Sequence, residues 1–323
     1  MINMPSRASR WLAVLALATA AAAHAQNPLD SKPLRIVVIT PPGGQADAVA
    51  RMLSDGLSRS LKRPVLVDNK AGGGGNIATE YVAQQPADGS VLLLTSNNHT
   101  INPTLFSKVN FDYQKSFEPV TQLTRGPSVI AAHPGFQVKD LKDLVAVSRT
   151  NNVSYGSTGV GSAAHLAMEM LRKESGLKIV HVPYKGAGPA IVDALGGQIQ
   201  LAAVSLTSAI PHIKSGKLTG FAVTTEKRWP GAEEIPTLRE LGCAGCVYET
   251  YIGLFAPKGT SAAYVKTLNE QVAVIMNDAS NKAKLVGMGA EAVVSSPEQF
   301  SAMLKTDFDK ASRVIRETGM TVD

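Results

Sequence analysis

Short apolar runs alternate with stretches of helical periodicity along this chain, and that alternation restricts the fold more than any other feature. Leu34–Thr40 reads LRIVVIT, apolar on both faces of an extended segment. Val49, Met52, Leu53, Leu57 and Leu61 then recur at helical spacing. Pro64–Asp68 predicts a second strand, Gly72–Gly75 a flexible turn, and Val91–Thr95 a third strand. Strands without a polar face, separated by helices, predict a parallel sheet covered on both sides. The alternation restarts near Ser128: Val153–Gly156, Ile179–Val182, Leu201–Val204 and Gly220–Thr224 read as strands, and 162–174, 186–195 and 206–214 as helices. Tyr251–Ala256 reads as a last strand before helices 261–276 and 297–317. The fold class expected is α/β with two lobes, each a sheet flanked by helices. Ligands in such sheets sit beyond the carboxyl ends of the strands, and a cleft between two lobes is a common ligand site.

Composition excludes several classes. The 323 residues are 44% hydrophobic and 18% charged, which rules out wholesale disorder. The formal charge of +6 is spread without a basic block, unlike the clustered patch of a nucleic-acid binder. Residues 1–25 read as a cleavable signal peptide. Arg7 and Arg10 supply the positive start, Trp11–Ala23 the apolar run, and Ala23-His24-Ala25 the small-x-small cleavage site. The apolar run is shorter than the roughly 20 residues a membrane span requires. A periplasmic, oxidising destination follows. Cys243 and Cys246 lie in a glycine-rich loop and read as a local disulfide or two free thiols, not as a redox motif at a helix start.

Two loops carry the candidate chemistry. Thr40-Pro41-Pro42-Gly43-Gly44-Gln45-Ala46-Asp47 joins the first strand to the first helix. Gly43 and Gly44 allow close approach to the backbone, and the helix start, with Gln45, offers unpaired N–H groups and a positive dipole end that suit a carboxylate or phosphate. No Gly-Lys-Ser/Thr follows, so this is not a Walker loop. Asp47 reads as a residue that orients the loop. The second loop, Tyr155-Gly156-Ser157-Thr158-Gly159-Val160-Gly161-Ser162, runs from a strand into the helix of His165. Ser162 is the expected N-cap, and Ser157, Thr158, Gly161 and nearby N–H groups form a neutral anion cradle. Asn97 follows the third strand and Ser205 the strand Leu201–Val204; both join the candidate ligand groups, as does His165. No H-x-x-x-H or H-E-x-x-H pair supports a metal, no cofactor motif is present, and no G-x-S-x-G marks a nucleophile.

With these motifs in place the chain resembles the Bug family, the periplasmic substrate-binding proteins of tripartite tricarboxylate transporters. The resemblance rests on Pro42-Gly43-Gly44-x-x-Asp47-x-x-Ala50-Arg51, Val67-Asp68-Asn69, Pro86-x-Asp88-Gly89, Gly161-Ser162-x-x-His165-Leu166, Val182-Pro183-Tyr184-Lys185-Gly186 and Gly253-Leu254-Phe255-Ala256-Pro257, in the family's order. It implies a Venus-flytrap fold in which domain 1 comprises 26–126 and 250–323 and domain 2 comprises 127–249. It implies a protein that closes on a small carboxylate held by backbone groups of both loops, then docks on membrane permease subunits; separately, a monomer is expected. Where the family often carries an Asp that could pair with a ligand ammonium, this chain has Val204 and then Ser205. Amino acids are therefore disfavoured as ligands relative to di- or tricarboxylates or aromatic acids. The alternatives are an exported enzyme using Asp47, His165 and Ser157, or a receptor feeding a sensor.

Overall fold

A computed structural model describes residues 32–322. The segment read as a signal peptide lies outside the described residues.

The described chain forms two sheets. In the first, β1 (Leu34–Val38), β2 (Val65–Asn69) and β3 (Val91–Ser96) run parallel, with β1 between the other two. The expectation of an all-parallel sheet is corrected here. β10 (Thr250–Pro257) pairs antiparallel with β3, and β4 (Phe117–Gly126) antiparallel with β10. The two-residue strand β11 (Glu291–Ala292) closes the edge against β4. β4 mixes buried, half-buried and exposed positions (FEPVTQLTRG), so it lacks the continuous apolar run that identified the others.

The second sheet repeats the plan. β6 (Val153–Ser157) lies parallel between β7 (Ile179–Pro183) and β8 (Leu201–Ser205). β5 (Ser128–Ala132) pairs antiparallel with β8, and β9 (Thr219–Val223) antiparallel with β5. The chain passes from the first sheet to the second at Pro127, between β4 and β5, and returns with β10.

Helices follow the parallel strands. α1 (Gln45–Leu61), α2 (Asn76–Ala83) and α3 (Asn98–Leu105) follow β1, β2 and β3. α4 (Leu141–Thr150) precedes β6. α5 (Ala163–Ser175), α6 (Ala187–Leu195) and α7 (Leu206–Lys214) follow β6, β7 and β8. α8 (Ala262–Asn277), α9 (Ala279–Gly287) and α10 (Pro297–Thr318) end the chain. α1 buries Val49, Leu53 and Leu57 against the first sheet, the stripe its spacing predicts. α10 straddles the lobes: its Ala311, Val314 and Ile315 share one core with Ile101 and Leu105 of α3 and with Leu166 and Leu171 of α5.

Candidate functional site

The parallel blocks place two glycine loops in equivalent positions. Each leaves the middle strand of a three-strand parallel block, β1 in one lobe and β6 in the other. The chain must there turn from strand to helix beyond the sheet edge. Gly43 at φ 91° and Gly159 and Gly161 at φ 128° and 75° adopt backbone angles that side chains disfavour.

Each loop is held by an acceptor four residues further along its helix. The Gly43 amide donates to Asp47 Oδ2 at 3.0 Å, and the Gly161 amide donates to His165 Nδ1 at 3.2 Å. Asp47 is 4% exposed, and Arg51 Nε donates to the same Oδ2 at 2.9 Å. Burial pushes the Asp47 carboxyl up, but the Arg51 guanidinium, the Gly43 amide and the Asn69 side chain together hold it below the ordinary value. Asp47 thus orients the loop, as its first-turn position suggested.

The second loop rests on a buried polar stack. Ser157 Oγ lies 2.7 Å from His181 Nε2, accepts from the Gly159 amide at 3.1 Å and reaches the Gly159 carbonyl at 3.1 Å. The His165 and His181 rings stack with centroids 3.8 Å apart, and Tyr155 stacks on His181 at 4.9 Å. Burial, then the neighbouring His181 and Arg172, push His165 down to about 3. Burial also lowers His181, partly offset by the Glu169 carboxylate. Both imidazoles are therefore neutral at ordinary pH. The Asp47–Arg51 pair cancels its own charge, so the attraction these loops offer an anion comes from backbone dipoles.

Helix capping differs between two groups of helices. The helices that start at the carboxyl ends of the parallel strands are α1, α2, α3, α5, α6 and α7. Their N-caps Gly44, Gly75, Asn97, Gly186 and Ser205 make no side-chain capping bond; Ser162 of α5 alone does, accepting from the His165 amide. The remaining helices, α4, α8, α9 and α10, are all capped by side chains, from Asp140, Ser261, Asp278 and Ser296. An uncapped start leaves its first amides without helical partners. Uncapped starts thus gather along the strand ends where a ligand is expected. The Gly72–Gly75 turn is tied to α3: Asn98 and Asn102 side chains both donate to the Gly74 carbonyl at 2.9 Å.

Four expected ligand groups take other roles. Asn97 is 3% exposed; its Nδ2 donates to the Glu249 carbonyl at 3.2 Å and its Oδ1 accepts the Tyr251 amide at 3.0 Å. It is a strut between α3 and the strand returning from the second lobe. Ser157 is 0% exposed, and its hydroxyl is consumed by the loop and His181. His165 lies under the loop as its acceptor. Ser205 Oγ is 3.0 Å from Ser208 Oγ, within its own helix start. By contrast Gly43 and Gly44 are exposed, and Gln45, Thr158 and Ser162 half-buried. Val204 is fully buried in the second lobe's core. Sequence reading missed His181 and Glu169. Glu169 stands one helical turn from His165, a visible signal; His181 joins only through the β6–β7 register, which sets Tyr155 beside it.

The second loop also touches the opposite lobe, since a Cβ on Gly161 would lie 2.3 Å from Leu105 Cδ2 of α3. A cavity of about 460 Å³ lies elsewhere, where the crossing strands meet α10, and Arg125, Tyr248, Tyr251, Asp307 and Lys310 line it. Cys243 and Cys246 form a disulfide in a short turn packed in the core beside α5. Among the described residues no helix is long and apolar enough to cross a membrane.

Comparison with known proteins places this geometry. The periplasmic binding protein BugD superposes with TM-score 0.80 at 31% identity, covering 90% of this chain and 98% of its own. The R. palustris protein Rpa4515, solved with adipate, gives TM-score 0.83 at 30% identity over 90% of this chain and 98% of its own. MatC from Rhodopseudomonas palustris, solved with bound malate, gives 0.79 at 28% identity over 88% and 99%. The profile described as "Tripartite tricarboxylate transporter family receptor" matches residues 49–320. The chain therefore belongs to the tripartite tricarboxylate transporter receptor family, the Bug proteins, whose members are periplasmic solute-binding receptors and not enzymes.

Proposed function

We propose that this receptor captures a small organic carboxylate in the cleft between its lobes and delivers it to the permease subunits of a tripartite transporter. Its ligand is a dicarboxylate or tricarboxylate, or an aromatic acid. One observation carries the reading: five of the six helix starts at the carboxyl ends of the parallel strands have no side-chain cap, while the helices elsewhere are all capped. Amides of Gly44, Gln45 and the α1 start take one side of the acid group, on a turn that Asp47 holds through the Gly43 amide. Thr158, Ser162 and the amides of their loop take the other. The relatives solved with adipate and with malate support the ligand class. The units that close are 26–126 with 250–323, and 127–249, and closure follows from contacts that both lobes make only when together. The protein acts as a monomer, exported by a signal peptide at 1–25. An amino-acid ligand is disfavoured, because Val204 is buried and Ser205 carries no charge to meet an ammonium.

A thermal-shift and calorimetry screen tests this. Adipate, malate, citrate and benzoate are compared with glutamate. A ligand among the first four stabilises the protein by about 1.4 kcal/mol per tenfold excess over its Kd. Binding of glutamate alone overturns the ligand class.

A further inference from the structure

We infer that His165 and His181 are a positioning pair that sets the second-lobe loop for ligand, each through one specific ring nitrogen. His165 uses Nδ1, which accepts the Gly161 amide at 3.2 Å. His181 uses Nε2, 2.7 Å from Ser157 Oγ, and Ser157 in turn accepts the Gly159 amide at 3.1 Å. Together they fix the amides of both positive-φ glycines, Gly159 and Gly161. Neither amide has a helical partner, so each side-chain acceptor selects the loop conformation from the many open to glycine.

Three observations support a role in positioning beyond packing. The first lobe uses the same device without a ring, since Asp47 Oδ2 accepts the Gly43 amide four residues earlier. The His165 tautomer is fixed: Nδ1 accepts, so the proton is on Nε2, which faces Glu169 Oε1 at 3.9 Å. Glu169 is itself tied to Arg172 at 2.7 Å and faced by Tyr155 Oη at 3.4 Å, so the shell behind the ring is fixed. The stacking at 3.8 Å couples the rings, so movement of one displaces the other and both amides with it.

Because the pair rests on the carboxylate reading only for its affinity readout, two measurements separate them. An Asn side chain places an acceptor near the Nδ1 position and a Gln near the Nε2 position. His165→Asn and His181→Gln are therefore expected to hold adipate within about threefold of the unsubstituted protein. His165→Gln and His181→Asn are expected to lose about tenfold, the worth of roughly one hydrogen bond that must form anew in the complex. The same crossing is expected in amide hydrogen exchange without ligand, with Gly161 deprotected in His165→Gln and Gly159 in His181→Asn. Packing alone predicts no crossing: equal losses in all four variants, or none, overturn the pair. Crossed exchange without any binding of adipate, malate, citrate or benzoate to the unsubstituted protein retains the pair and overturns the carboxylate reading instead.

Discussion

The imidazole of His99 stacks on the Phe255 ring, with centroids 4.2 Å apart and planes 26° from parallel. Tyr113 and Phe117 meet it edge-on, and Nδ1 has no hydrogen-bond partner. The contact joins the start of α3 to the returning strand β10, in the core of the first lobe.

This burial should make the fold acid-labile. Desolvation pushes His99 from 6.5 down to about 3, so the native state holds it neutral while the unfolded chain binds a proton below 6.5. The unfolded state then binds more protons, and stability is lost as pH falls from about 6.5 toward 3. Each such histidine contributes about 1.4 kcal/mol per pH unit in that window. His165, also lowered to about 3, adds to the same limb. Urea midpoints measured from pH 7 to pH 4 should fall, and His99→Phe should flatten the slope. An unaltered slope in that variant would contradict the assignment.

Asp47→Ala should cost about 1–3 kcal/mol, because it strands a loop amide and a guanidinium beside a buried site. Arg51→Ala should cost under about 1 kcal/mol, since the Arg51 side chain is 59% exposed and its ion pair is largely screened. The lowered Asp47 pKa gives stability that is present above the ordinary carboxylate value and is lost as pH falls below it, through the lowered folded value. Chemical denaturation of both variants at pH 7 checks the order; equal costs would refute it.

Gly161 and Gly176 have nearly the same φ, 75° and 71°. Either one changed to Ala pays the left-handed strain of about 1 kcal/mol. At Gly176 the new Cβ meets nothing within 4 Å, whereas at Gly161 it meets Leu105 Cδ2 at 2.3 Å. Gly161→Ala should therefore destabilise more than Gly176→Ala, and the excess should shrink in the Leu105→Ala background. A double-mutant cycle read by urea unfolding detects the coupling.

Reduction of the Cys243–Cys246 bond should destabilise the protein by about 2 kcal/mol, the loop-closure entropy of so short a ring. Both residues are essentially unexposed, so dithiothreitol should act only through unfolding. Melting curves with and without reductant, and thiol labelling in the native state, give the readout. Rapid native-state labelling without reductant would show that no bond is present.

Local signals carried much of this protein. Apolar runs such as LRIVVIT and the stripe Val49, Leu53 and Leu57 determined strands and helices, because side-chain periodicity is written into neighbouring residues. The glycines at 43, 159 and 161 announced the two loops, since few other residues tolerate their positive φ, and Asp47 and Ser162 took the expected roles. Tertiary structure decided what depends on distant partners. It set β4 and β10 antiparallel inside the first sheet, a choice that pairing and not propensity makes. It turned Asn97 into a strut, because the strand that occupies its amide lies over a hundred residues away. It brought His181 under the second loop through strand register, and it left five of the six ligand-side helix starts without side-chain caps while capping the others. Sequence spacing cannot encode those choices: each is a contact between segments that only the packed lobes bring together.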